Sequence, residues 1–118
     1  MRLSSQLKLR HLEVFVEVAR QNSVTLAAEA LGMTQPAVTR ALRELEHVCG
    51  KPLVEKHGRG IRLSAYGEMF RDPAGRSLAL ARDGVTMLNN LGEAEGPRVA
   101  IGALPTVSAT VVPDTLAR

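Results

Sequence analysis

Thr34-Gln-Pro-Ala-Val-Thr-Arg-Ala-Leu-Arg-Glu-Leu-Glu-His-Val-Cys49 is the stretch that decides the fold. It reads as one helix. Thr34 can cap the N-terminus, because a threonine hydroxyl accepts a bond from an orphan backbone N–H. Pro36 fits only the first turn, where its missing N–H breaks no ladder. Gly50 is the stop signal. At about 100° per residue, Val38, Leu42, Leu45, Val48 and Cys49 share one side. Gln35, Pro36, Thr39, Arg40 and Arg43 share the other. The first side is a core face. The second is short, uncharged or positive, with Glu44 and Glu46 further along, away from the start.

That division suits a helix lying in the major groove of DNA. Short side chains near the N-terminus let the backbone approach the base edges. Glutamine pairs bidentately with adenine, and arginine with guanine or with phosphate. The helix dipole favours phosphate at the same end. An ordinary amphipathic helix with a solvated polar face would show the same pattern, so the neighbouring residues have to decide.

Toward the N-terminus, Leu12, Phe15, Val16 and Ala19 recur at helical spacing between Lys8 and Arg20, with Val14 and Val18 as a second stripe. Two apolar stripes predict packing on two partners. Met1 to Leu7 reads as a lead-in. Ser23 caps a short helix from Val24 to Leu31, with Val24, Ala27, Ala28 and Leu31 inward. Gly32 ends it, and only Met33 separates Gly32 from the Thr34 cap. Two helices joined by so short a glycine turn form a helix-turn-helix, the second helix being the reader.

Toward the C-terminus, Gly50-Lys51-Pro52 turns the chain. Leu53–Lys56 and Ile61–Leu63 are strand-like, and His57-Gly58-Arg59-Gly60 joins them. A hairpin tip with Lys56, His57 and Arg59 reads as a wing that touches the flanking DNA backbone or minor groove. A plain structural hairpin with solvated charges is the alternative. Ser64 caps a long helix over 65–91. Within it Ala74, Leu78, Ala81, Val85 and Leu88 step by four, three, four and three, the coiled-coil spacing. That seam predicts dimerisation. Leu80, Gly84, Met87 and Leu91 flank it. Pro73 predicts a kink or break near Arg71–Pro73. Residues 92–97 read as a hinge, and 98–118 as the truncated start of an α/β domain, because one strand and one helix cannot bury a core. The expected class is therefore mainly α. A winged helix-turn-helix occupies 1–63, and a linker and dimerisation helix 64–91.

Composition narrows the chemistry. The 118 residues carry a net charge of +3. Residues 1–62 hold 10 Lys/Arg against 6 Asp/Glu, and residues 63–118 hold 5 against 6, so the positive excess lies with the candidate reading helix. Aromatic residues make up 3%, which argues against a stacking platform for single strands. One cysteine excludes a disulfide framework and a cysteine-rich metal site. Neither a signal peptide nor a membrane span is visible, and a cytoplasmic protein is expected. His11, His47, His57 and Cys49 are the only candidates for nucleophile or base chemistry. Cys49 lies on the apolar helix face and no ligand partners His47 at metal spacing, so neither an enzyme nor a cofactor is expected. A dimerisation module without DNA specificity of its own is the alternative to a sequence-specific DNA binder.

The runs Leu12-Glu-Val-Phe, Ser23-Val-Thr-Leu-Ala-Ala, Thr34-Gln-Pro-Ala-Val-Thr-Arg and Leu42-Arg-Glu-Leu-Glu resemble the LysR-type transcriptional regulators. Gly58-Arg-Gly-Ile-Arg-Leu-Ser and Tyr66-Gly-Glu fit the same pattern. The wing and Ile101-Gly-Ala-Leu-Pro-Thr-Val-Ser look most like regulators of protocatechuate (aromatic acid) catabolism and related sugar-uptake regulators. The resemblance implies a homodimer, often paired into a tetramer, on an interrupted palindrome in double-stranded DNA. It implies base readout by Gln35, Pro36 and Thr39, beside the Thr34 cap. It implies phosphate contacts from Ser23, Thr25, Arg40, Arg43, Lys56 and Arg59. It places a small-molecule inducer in the full-length protein only, at a loop that corresponds to Thr106 and Ser108. A cap for the following helix is the other reading of Thr106.

Overall fold

The computed structural model describes residues 6–91. Their elements are α1 (Leu9–Gln21), α2 (Val24–Leu31), α3 (Gln35–Cys49), β1 (Val54–His57), β2 (Gly60–Leu63) and α4 (Ala65–Asn89). The chain divides into a packed unit ending at Ala81 and a second unit starting at Arg82.

Local chemistry sets the helix ends. The Ser23 hydroxyl accepts from Leu26 N at 3.1 Å, and that of Thr34 from Ala37 N at 3.2 Å. Each removes one orphan donor. α1 has no hydroxyl at its start. Instead His11, three residues in, takes the Lys8 backbone N–H on Nδ1 at 3.1 Å. Its C-cap is Asn22, at φ 53°, a conformation asparagine tolerates better than most residues. Gly32 closes α2 at φ 66°, its N–H directed at the Ala28 and Glu29 carbonyls. The turn between α2 and α3 is thus Gly32-Met33-Thr34, as the helix-turn-helix reading required.

The core joins the three helices to the base of the hairpin. Val14, Phe15 and Val18 come from α1, Ala27 and Ala28 from α2, and Val38, Ala41, Leu42 and Leu45 from α3. Leu53 and Leu63 close it below, and Ala74 enters from α4. The small Ala27 and Ala28 let α2 approach its neighbours closely. The Phe15 and Phe70 rings sit 5.3 Å apart, tilted by 58°, and clamp α4 onto α1. Phe15 and Leu45 are fully buried, each contributing roughly 2–3 kcal/mol relative to exposure.

The hairpin is longer than its sequence reading. His57 pairs with Gly60 and Val54 with Leu63, leaving only Gly58-Arg59 in the turn. Gly58 takes a φ of 59°, whereas Arg59 stays negative, the pattern of a two-residue II′ turn. Leu53 lies before the strand. Its N–H donates to the Glu46 carboxylate at 2.7 Å, as does that of Val54 at 3.3 Å. At the other end Ser64 N donates to Leu53 O at 2.9 Å. The Ser64 hydroxyl donates to Pro52 O at 2.6 Å and accepts from Gly67 N at 3.1 Å, so it caps α4 and fastens the hairpin together.

Two expectations for α4 need correction. Pro73 causes no break, since the helix runs unbroken for 25 residues, roughly 37 Å. Proline removes the bond to the Met69 carbonyl, but Met69 and Pro73 are both exposed, so water can satisfy that oxygen. The packing of Phe70 and Ala74 holds the helix on either side. The dimer seam is also divided. Ala74 and Leu78 are buried within the chain, at 1% and 3% exposure, and are not free for a partner. Ala81, Val85 and Leu88 remain exposed, and Leu80 and Met87 flank them.

Candidate nucleic-acid interface

The polar face of α3 lines an open concavity of about 860 Å³. Gln35, Pro36, Thr39, Arg40 and Arg43 all border it, so the structure brings together five of the residues singled out in sequence. Thr34 stands at the helix start with its hydroxyl committed to the cap. The opposite wall comes from Gln6, Lys8 and His11 at the start of α1.

A second hollow, about 460 Å³, lies where the wing meets the start of α2. Ser23, Thr25, Lys56 and Arg59 all line it. The wing docks there through its backbone. Ile61 N donates to Asn22 O at 3.4 Å, and a Cβ on Gly60 would sit 2.9 Å from that same oxygen. Glycine is what permits this approach. Ser23 and Thr25 lie at least 31 positions before Lys56 and Arg59, yet all four share one surface because the hairpin folds back on the α1–α2 corner.

The cations of these two surfaces contrast with five arginines elsewhere. Arg10, Arg20, Arg62, Arg71 and Arg76 each pair with a nearby carboxylate. Arg40, Arg43, Lys56 and Arg59 are exposed and form no ion pair among the described residues. Exposed cations that no carboxylate bridges directly remain available to external anions, although Arg40 still feels the nearby Glu44 charge. Cys49 is half-buried, and burial pushes its thiol pKa up, with Glu46 adding to the effect. An un-ionised thiol is a poor nucleophile.

Sequence reading missed Glu44 and His47, which border the same concavity. The polar face, expected to be uncharged or positive with Glu44 further along, therefore carries that carboxylate on the same concavity. Glu44 lies four residues after Arg40, and His47 four after Arg43, so the helical step could have placed them there. The bond from the His11 ring to Glu44, at 3.0 Å, holds the Glu44 carboxyl below its ordinary pKa. Gln6 and Lys8 were missed because only the packing of α1 against α3 brings them near. Of the residues assigned to dimerisation, Ala81, Val85 and Leu88 are accessible. Thr106 and Ser108 lie outside the described residues.

Residues 9–68 match the family described as bacterial regulatory helix-turn-helix protein, lysR family. The chain is 48% identical over 114 residues to the HTH-type transcriptional regulator PcaQ of Agrobacterium fabrum. That match covers 97% of this chain but 37% of the relative, and it supports the subgroup likeness read from the wing. Among solved structures, the DNA-binding domain of BenM in complex with catB site 1 DNA superposes with a TM-score of 0.66 at 32% identity, covering 70% of this chain and 93% of that one. The CbnR domain in complex with DNA gives 0.65 at 35% identity, covering 70% and 95%. Among the described residues, no helix is long and apolar enough to cross a membrane. Fold, surface and likeness agree: the chain belongs to the LysR family of helix-turn-helix transcriptional regulators and carries that family's DNA-binding domain.

Proposed function

We propose that this chain binds double-stranded DNA sequence-specifically, as a homodimer on an interrupted palindrome. The observation that carries the reading is the set of four exposed cations without a salt bridge, Arg40 and Arg43 on a recognition helix whose first turn presents Gln35, Pro36 and Thr39, and Lys56 and Arg59 on the wing. The BenM and CbnR domains solved on DNA support it. The exposed stripe of Ala81, Val85 and Leu88, flanked by Leu80 and Met87, supports self-association, because contiguous exposed apolar surface seeks a partner. The chain spans 37% of the length of its PcaQ relative, and a small-molecule inducer is proposed only for a protein of that full length. Gel shifts over a salt series test the reading. Neutralising several phosphates predicts a steep fall in affinity with salt, and a chain that merely dimerises would show no shift.

Two substitutions separate base contacts from backbone contacts. Gln35→Ala should cost about 1–3 kcal/mol and relax the preference at one position per half-site. Selection from a random duplex pool reads this out, and an equal loss on every sequence would remove the base-reading role. Arg59→Ala should instead weaken all duplexes alike and lower the salt slope by about one. An unchanged slope would take the wing tip out of the interface.

A further inference from the structure

His11 is the one histidine of the described chain that is buried, at 2% exposure, and both of its ring nitrogens are engaged. Nδ1 receives the Lys8 backbone N–H, so it carries no proton of its own. The hydrogen-bond network therefore assigns the ring proton to Nε2, which donates to Glu44 Oε1 at 3.0 Å. One end of this bridge is the backbone N–H of Lys8, the N-cap residue of α1. The other is a side chain in the middle of α3, one turn beyond Arg40 and on the same concavity.

We propose that His11 is a positioning residue for base readout, its bridge to Glu44 setting the rotation of α3 about its own axis. The proposal rests on the DNA-reading role given to α3 above. The apolar contacts of Val38, Leu42 and Leu45 hold α3 against the core, but hydrophobic burial is non-directional. Directional fastening comes from two carboxylates. Glu46 grips the Leu53 and Val54 N–H groups toward the C-terminal end. Glu44, through His11, fixes the helix against α1. Bidentate base contacts demand donor–acceptor distances within a few tenths of an ångström, and a recognition helix rotated by about 10–20° no longer meets them. Phosphate contacts by long arginine side chains tolerate such a shift. Loss of the bridge should therefore impair discrimination between sequences more than it impairs binding itself. Glu44 has half its side chain exposed, so its replacement leaves the core intact.

The test compares wild type, Glu44→Gln, Glu44→Ala and His11→Asn. Each is titrated with the duplex selected by the wild type and with a scrambled duplex of equal length. Urea midpoints are measured on the same samples. Glutamine keeps an oxygen that accepts from Nε2–H, so Glu44→Gln should retain the specific-to-scrambled affinity ratio. Glu44→Ala should lower that ratio roughly tenfold, the scale of one mismatched base pair, without weakening scrambled DNA. His11→Asn should follow Glu44→Ala. An unchanged ratio in Glu44→Ala overturns the proposal. So does a new base preference in Glu44→Gln, which would make the Glu44 charge itself a reader. A wild type without any preference between duplexes would instead remove the DNA-reading function on which the proposal rests.

Discussion

Gly67→Ala should destabilise the chain by about 3 kcal/mol and lower its urea midpoint, the opposite of what helix propensity alone would give. In an exposed helix, alanine is favoured over glycine by up to about 1 kcal/mol. Gly67 is buried in the first turn of α4, where a Cβ would press into the Leu53 carbonyl and stand 3.2 Å from Leu63 Cβ. The Leu53 carbonyl also accepts the Ser64 N–H, so it cannot move without undoing the hairpin base. Overpacking against fixed backbone therefore outweighs propensity. Gly75 is the internal control. It lies in the same helix with nothing within 4 Å of a built Cβ, so Gly75→Ala should be neutral or slightly stabilising. Equal effects at the two positions would show that the close approach of α4 to Leu53 does not govern stability.

If the chain pairs as proposed, Val85→Glu combined with Leu88→Glu should leave it monomeric and reduce palindrome affinity by roughly 10²–10³-fold. The factor arises because a joined pair of recognition helices meets its second half-site at a high effective concentration, and a monomer forfeits that advantage. Two glutamates in a closed apolar seam would each be a buried, unpaired charge. Val85 and Leu88 are 59% and 65% exposed, so the substitutions leave the core of residues 6–81 alone. Leu78, also on the four-three spacing, is unsuitable because it is buried within the chain. Sedimentation velocity and gel shift on one sample decide the matter. Affinity for a single half-site should persist. A wild type that sediments as a monomer yet binds the palindrome fully would refute the coupling.

Much of this architecture is written in local chemistry. Ser23, Thr34 and Ser64 cap the helices they precede, and Gly32 and Gly50 end them, because caps depend on residues three or four positions apart. The apolar face of α3 followed from the helical step, as did the polar face opposite it. What stayed hidden depends on contacts between distant segments. The coiled-coil spacing along α4 does not say which apolar residues the chain itself will cover, and Ala74 and Leu78 went to its own core. Pro73 showed the opposite failure. A strong local rule predicted a kink or a break, and packing of Phe70 and Ala74 on either side of the exposed proline leaves the helix unbroken. The candidate interface was legible where one helix carried it. It was opaque where the start of α1 supplied a wall, since nothing near Gln6 or Lys8 in sequence points toward residue 44.

The hairpin between Leu53 and Ser64 begins and ends at one knot of hydrogen bonds, with Glu46, Pro52 and Gly67 tied into it. A segment whose two ends meet is a cassette. Its inner residues can be exchanged for another two-stranded loop without rerouting the chain before or after it. The constraints inside are few: Leu63 must fill the core, Gly60 must clear Asn22, and Gly58 must turn. Arg62 bridges Glu55 across the strands, whereas Lys56, His57 and Arg59 answer to no folding demand beyond these. The fold thereby separates what must be inherited to stay folded from what is free to diverge as related regulators acquire different binding sites.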